Sequence, residues 1–339
     1  MRVAVTGAAG YIGRRLVERL SAAGHEIVAF DRNHFAGASA TAFVRCDLTD
    51  PSSYETSLAG IDCICHLAAA KGDWGISEGE YLRDNYVATR ELVAAARRAG
   101  INRWIFYSTV AVLGPSETPL DERAPRRPVN PYGASKAACE ALYESYTAET
   151  PGASVLTIRP SVVFGPENPW NTNIFRLIDA IHRNRFVMIG SGREVKSASY
   201  IDNLLDAHMF LMLRQLEQPN TGVQIVHYVD EPGETTATLV RRIYSQLGRK
   251  PRKLRLSLAL ALPIALVGDA AASLLGIDLP ITSARVRKFC TATNFSAQRI
   301  REQGFIQRVS NDEAIRLTVQ WYLTDYLAAA GSRRRHRSP

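Results

Sequence analysis

The sequence predicts an α/β fold: a parallel sheet covered by helices on both faces, followed by a smaller C-terminal lobe. Three observations carry this. A short β-rich run, Arg2-Val-Ala-Val-Thr6, leads straight into a glycine-spaced turn, Gly7-Ala-Ala-Gly10-Tyr-Ile-Gly13, and then into a helical stretch. β-rich runs and helical stretches alternate from there to Arg159, which implies parallel strands joined by helical crossovers. After Arg159-Pro160 the alternation is broken by Phe164-Gly165-Pro166 and Asn168-Pro169. Together these describe a Rossmann-like, doubly wound parallel sheet over residues 1–165, with later segments returning to it, and a smaller α/β substrate lobe over 166–330. The basic tail 331–339 is expected to be disordered.

Each element has its own warrant. Glycines three apart after a strand let the backbone turn tightly and let a diphosphate approach the amides at a helix start. The first helix is expected from about Tyr11 to Ala23. A second strand, Glu26 to Phe30, ends at Asp31, about twenty residues beyond the glycine turn, where an acidic side chain binds adenosine ribose hydroxyls. That carboxylate repels a ribose phosphate and favours NAD over NADP, although Arg32 next to it leaves NADP open. Phe43 to Asp47 and Asp62 to Leu67 read as strands, the latter opening onto His66-Leu-Ala-Ala-Ala70, whose small residues suit packing against a flat ring. His66 reads as a hydrogen-bonded structural histidine at a strand end. Tyr81 to Ala99 is helical and carries Asn85; Arg103 to Ser108 is a strand ending at Thr109, with Gly114-Pro115 closing the turn. A polar loop, Asp121 to Asn130, precedes a helix to about Glu149, and Ser154 to Arg159 is a sixth strand. In the later part, helices are expected at Thr172 to Arg185, Tyr200 to Leu216, Thr236 to Leu247 and Asn311 to Ala328, with strands at Val187–Ile189 and Val223–Val229.

Composition bounds the partners. The chain has 339 residues, 46% of them apolar, and a formal net charge of +8, enough for a large core. The basic clusters, Arg249-Lys250-Pro251-Arg252-Lys253 and Arg333-Arg334-Arg335, come with no zinc-finger spacing or aromatic-rich RNA motif, so nucleic acid is not expected as a partner. Of the five cysteines, Cys63 and Cys65 alternate in an apolar run as core thiols do, and no metal site is expected. With the first strand beginning at Arg2, no leader is expected, and a reducing cytoplasm follows as the default. The apolar stretch Leu256 to Gly276 contains Pro263, Gly268 and Asp269; it is expected as two short buried helices rather than a membrane span, lining an apolar pocket or dipping into a membrane surface.

The stretch on which the chemistry turns is Pro131-Tyr132-Gly133-Ala134-Ser135-Lys136. Tyr132 and Lys136 are four apart and share a helix face. A free phenol ionises near ~10 and is a poor base at neutral pH; a fixed ammonium beside it favours the phenolate.

With these residues in place the chain resembles the extended short-chain dehydrogenase/reductase family, of the NAD-dependent epimerase/dehydratase type, from Val3 to about Tyr322. The resemblance implies an enzyme using NAD. It implies a cofactor site built from Gly7, Gly10, Tyr11, Ile12, Gly13, Asp31, Arg32, Asp47, Leu48, Leu67, Ala68, Ala69, Asn85, Pro160 and Val162, together with Tyr132 and Lys136. Asn85 and Thr89 match a helix motif that supports the site. Tyr132 would be the acid/base, Lys136 would lower its pKa and hold the nicotinamide ribose, and Thr109 would hydrogen-bond the substrate oxygen. Tyr200-Ile-Asp-Asn203 matches the family's late aromatic-x-Asp motif. Substrate contacts would be Thr109, Tyr132, Asn171, Lys196, Arg193 and Arg285, with the last three alternatively solvated surface charges. A homodimer is expected.

The departures narrow the chemistry. Val110-Ala111 stand where dehydratases of the family carry an Asp-Glu pair, so water loss is not expected. Lys196 replaces a common Arg and can neutralise a diphosphate as a point charge. The first functional reading is therefore an epimerase or oxidoreductase of a nucleotide-sugar. The alternative is an oxidoreductase of a hydrophobic alcohol, similar to the 3β-hydroxysteroid dehydrogenases through Asp206-Ala207-His208 and the apolar stretch. A binding protein that has lost activity is disfavoured by the intact Thr109, Tyr132 and Lys136.

Overall fold

Arg2–Thr6 forms a strand that is buried from Val3 onward and pairs in parallel with Glu26–Asp31 on one side and Cys63–His66 on the other. In this computed structural model, which describes residues 1–35, 37–72, 75–218, 220–252, 254–275 and 282–329, that strand lies inside a seven-stranded parallel sheet. The order across the sheet is Gly222–Tyr228, Ser154–Pro160, Arg103–Tyr107, Cys63–His66, Arg2–Thr6, Glu26–Asp31, Ala42–Arg45. Successive residues of one strand enter different cores: Val3 and Val5 pack with Leu16 and Ile105, whereas Ala4 packs with Phe30, Trp104 and Phe106. A sheet buried on both faces reads as the near-continuous apolar runs seen in the sequence.

The chain winds outward in both directions from Arg2–Thr6, so strand order reverses between it and Cys63–His66. Loops leaving the carboxyl ends of these two neighbours border the crevice where open α/β sheets bind ligands. The strand Gly222–Tyr228 joins this sheet beside Ser154–Pro160, with Val223 opposite Val155.

A second, four-stranded sheet has the order Glu234–Thr235, Val195–Lys196, Thr293–Phe295, Ser116–Leu120. Its edge strand Ser116–Leu120 lies where the sequence suggests only a turn. Its partner residues come from 293–295, so nothing local marks it. Val162–Phe164 pairs with Ala198–Tyr200, tying the segment after the sixth strand to the start of the helix Ile201–Glu217.

The apolar stretch departs from expectation. It forms one helix, Leu258–Leu275, with Pro263 inside it, rather than two. The proline removes one ladder hydrogen bond without ending a run of strong helix formers. Nor is the helix buried all round: Ala261 and Ala265 pack against Val286, but Leu260 is 62% and Val267 72% exposed. Among the described residues no helix is long and apolar enough to cross a membrane. All five cysteines are free thiols, four of them buried. The tail 331–339 lies outside the described residues.

Candidate active site

The glycine turn is shaped by close approach. Gly7 has φ +71°, and a Cβ there would lie 2.7 Å from the Ala68 amide nitrogen; a Cβ on Gly13 would lie 2.1 Å from the Gly7 carbonyl oxygen. The helix Tyr11–Ala22 starts from Gly10, which has no side chain to cap it. Its first-turn N–H groups therefore remain available to an anion, favoured by the helix dipole. Tyr11, Ile12 and Gly13 form that first turn. The Tyr11 hydroxyl is committed elsewhere, donating to the Pro166 carbonyl at 3.0 Å.

Asp31 caps the second strand beside this turn. Its carboxylate accepts from Ala9 N at 2.9 Å and Asn33 N at 2.8 Å. Arg32 is paired with Asp84 at 3.1 Å. Asp47 is exposed and folds its own turn, accepting from the Thr49 amide and hydroxyl, and Leu48 beside it is buried. On the opposite wall, the Thr6 hydroxyl accepts from the amides of Leu67 and Ala68, both at 3.2 Å. His66 is structural: its ring bonds Thr6 at 2.7 Å and Thr89 at 2.9 Å, and burial pushes its pKa down to about 3.

A buried asparagine ties this wall to the central helix. Tyr81–Arg98 runs as a helix with one wider, π-type turn at Leu82–Val87, and that turn carries Asn85. Such turns recur at functional sites. Asn85 Oδ1 accepts from Ala70 N at 2.7 Å, and its Nδ2 donates to Ser135 Oγ at 2.8 Å. Ser135 in turn donates to the Tyr132 carbonyl at 2.8 Å.

The central helix Pro131–Glu149 is started by Pro131 and by Asn130, whose side chain accepts from Gly133 N at 2.7 Å. Gly133 seats it: a Cβ there would lie 2.6 Å from the Ala111 carbonyl oxygen, so only glycine lets the helix approach the turn after Arg103–Tyr107. That approach sets the Tyr132 phenol beside the Thr109 side chain, which acts to lower its pKa. Thr109 also accepts from Ala111 N at 3.2 Å.

Lys136 is 2% exposed, and its ammonium sits 4.2 Å from the centroid of the Phe106 ring. Burial pushes its pKa down to about 8, against the upward pull of Cys139 and Glu140. The Tyr132 phenol is raised above its ordinary value by burial and by Tyr81, only partly offset by the Thr109 side chain. Burial is the largest of these influences, and Lys136 is not among the groups that shift the phenol.

One element of the site has no counterpart in the sequence reading. Glu140, one turn beyond Lys136, is fully buried and accepts from Ser108 at 2.6 Å, from Arg159 at 2.8 and 2.7 Å, and from Arg126 at 2.6 Å. Burial pushes its carboxyl up, but Arg159, Ser108 and Arg126 more than reverse this, and its pKa is lowered. Glu140 thereby locks the central helix to the ends of two sheet strands.

The remaining predicted residues are more dispersed. Pro160 ends its strand, and Val162 lies opposite Ala198 in the short pair beyond it. Asn171 and Arg193 are exposed, and Arg285 lies in the helix Ser283–Cys290. Lys196 donates to the carbonyls of Lys288, at 2.7 Å, and Thr291. Thr109, Tyr132 and Asn85 thus meet at the start of the central helix, with Lys136 one turn on over Phe106, whereas Arg193, Lys196 and Arg285 come from segments after the sixth strand.

The chain is similar to known proteins in sequence and in fold. The profile of the NAD dependent epimerase/dehydratase family matches residues 3–229. The chain is 30% identical to the N-acetyl-alpha-D-glucosaminyl-diphospho-ditrans,octacis-undecaprenol 4-epimerase of Escherichia coli O157:H7, with 94% of each chain covered. It is 28% identical to the 2-alkyl-3-oxoalkanoate reductase of Stenotrophomonas maltophilia (strain K279a), covering 93% of this chain and 98% of that one. Among solved structures, MoeE5 in complex with UDP-glucuronic acid and NAD superposes with a TM-score of 0.76 at 25% identity, over 95% of this chain and 99% of that one.

Proposed function

The chain belongs to the NAD dependent epimerase/dehydratase family, and on that premise we propose that it is a 4-epimerase of a sugar carried on a diphosphate, a nucleotide-sugar in the first instance. The observation that carries this reading is the seating of the Tyr132 phenol beside Thr109 at the carboxyl end of a sheet strand, with the helix start tied through Ser135 and Asn85 to Ala70.

The cradle suits NAD. The tight backbone packing that Gly7 and Gly13 permit, the uncapped helix start and the Asp31 carboxylate suit a dinucleotide's diphosphate and ribose. The chemistry a bound NAD supplies is reversible hydride acceptance at its nicotinamide. In this reading Tyr132, as the phenolate, would take the proton of the sugar hydroxyl as the carbinol is oxidised, and as the phenol would return it on reduction. Thr109 holds the same oxygen. Lys136 supplies a buried positive charge, and Asn85 and Ser135 keep the helix start in register with the crevice. Val110 and Ala111 carry no titrating group into the turn after Thr109, so water loss is left out.

The E. coli relative, whose name specifies a 4-epimerase of a diphospho-linked sugar, and the UDP-glucuronic acid complex of MoeE5 support the substrate class. The test is incubation with NAD and, separately, UDP-glucose, UDP-N-acetylglucosamine and N-acetylglucosaminyl diphospho-undecaprenol, reading the configuration at C4 by NMR. Interconversion of 4-epimers without accumulation of NADH is expected. No turnover of any of these would overturn the reading.

A second reading, a reductase or dehydrogenase of a hydrophobic ketone or alcohol, is favoured by one observation. The Lys196 ammonium is committed to the carbonyls of Lys288 and Thr291 instead of standing ready for a phosphate. Stoichiometric NADH oxidation with an apolar ketone, and none with sugar diphosphates, would establish it instead.

A further inference from the structure

The helix Leu258–Leu275 presents an apolar face that nothing among the described residues covers. Leu260, Ile264 and Val267 follow one another at helical spacing and are 62%, 57% and 72% exposed, and Leu266 and Leu274 extend the patch. Side chains spaced this way share one side of a helix. Contiguous exposed apolar surface of this kind marks an interaction site. The opposite side, Ala261 and Ala265, packs on Val286 of the neighbouring helix. The one charged residue of the helix, Asp269, is turned to that inner side, where its carboxylate accepts from Ser283 N at 3.0 Å. The outer face is left without charge.

The surroundings of this face are basic. Along the sequence, residues 249–290 hold eight Lys and Arg against two Asp, so most of the net charge of +8 falls in this segment. Arg252 and Arg255, both exposed, precede the helix, and Arg287, also exposed, follows on the helix packed beside it. A cleft of about 240 Å³ adjoins the start of the helix, with Phe186, Met188 and Tyr244 alongside Arg241, Arg252 and Arg255 in its lining.

We propose that this face docks on the surface of an anionic lipid bilayer, with the helix lying in the interface and the flanking arginines on the lipid headgroups. An apolar helix face bounded by cations, and not long enough to span, is the pattern of an interfacial helix. Charge complementarity selects this occupant over a second copy of the chain. A two-fold contact through the same face would set one basic rim against another. The inference stands apart from the choice of substrate.

The test uses the full chain and vesicles of phosphatidylcholine alone, or of two parts phosphatidylcholine to one part phosphatidylglycerol, in a flotation assay. The chain should float with the anionic vesicles, bind the neutral ones at least ~10-fold less, and be released by raised salt. The double variant Leu260→Gln/Ile264→Gln, at exposed positions, should keep its melting temperature and NAD affinity and lose flotation. Arg252→Gln/Arg255→Gln should lose the preference for phosphatidylglycerol. Absence of flotation with either vesicle would overturn the proposal. So would undiminished flotation of the leucine–isoleucine variant, or a dimer in analytical ultracentrifugation that this variant dissociates.

Discussion

The ammonium of Lys136 lies 4.2 Å from the centroid of the Phe106 ring, one residue type of the candidate catalytic set held over the aromatic floor of the sheet. A cation over a ring face is stabilised by the ring's quadrupole, but that attraction replaces only part of its hydration. Burial accordingly holds its pKa down to about 8.

From this follows a stability prediction. The folded-state pKa of Lys136 is about 8 against an ordinary 10.5. Below the folded value the group is protonated in both states, and its burial destabilises the fold in full. Between the two values the unfolded chain binds the extra proton, so stability rises with pH. Lys136→Met should raise stability at neutral pH by on the order of 3 kcal/mol at most and weaken the rise toward alkaline pH. Part of that rise should remain, because Lys196 is also lowered to about 8. Turnover should fall. Denaturant melts at neutral and alkaline pH measure the first effect, and a less stable variant at neutral pH would contradict it.

Tyr132→Phe removes the hydroxyl and keeps the ring. NAD affinity should be retained, and turnover should fall by at least ~10²-fold, the scale of losing a positioned acid/base. Thr109→Val removes the neighbouring hydroxyl and should slow the reaction less. Steady-state kinetics beside NAD titration decide this; an active Tyr132→Phe enzyme would remove Tyr132 from the chemistry.

Glu140→Gln tests the network beneath the site. The buried Arg159 guanidinium would lose its counter-charge while the shape is kept. Removing one partner of a buried pair costs on the order of 3 kcal/mol. Thermal melts should show this loss, and an unchanged melting temperature would mean that the network does not hold the helix.

Gly13→Ala places a Cβ 2.1 Å from the Gly7 carbonyl oxygen. Backbone has to move, and NAD binding measured by calorimetry should be lost. Gly79→Ala, with nothing within 4 Å of the added atom, serves as the control and should bind NAD normally.

Asp31 sits at the carboxyl end of its strand, bonded to Ala9 N. Its charge should disfavour a ribose phosphate, so NAD should bind more tightly than NADP, and Asp31→Ala should narrow the gap. Tighter NADP binding by the unaltered chain would sink this assignment.

The parts legible in the sequence are those whose physics is local. The glycine turn, the acid at the end of the second strand and the Tyr132/Lys136 pair are set by spacings of three, four or about twenty residues within one strand-turn-helix unit. Alternation of strands and helices likewise announced the parallel sheet. His66 could be read as structural because it stands at a strand end, where Thr6 of the neighbouring strand bonds its ring.

What only the tertiary structure decided depends on residues far apart in the chain. Ser108 and Glu140 are separated by 32 positions, and Asn85 and Ser135 by 50, so no periodicity links them. Gly133 is demanded by the Ala111 carbonyl of another segment. The same holds for the direction of the Tyr132 shift, which burial sets. In the helix Leu258–Leu275 the amino acids are apolar on all sides, and composition cannot say which side is covered. Packing against Val286 and the hydrogen bond from Ser283 to Asp269 choose the inner face, and Leu260, Ile264 and Val267 are left outside because no element of the described chain reaches them.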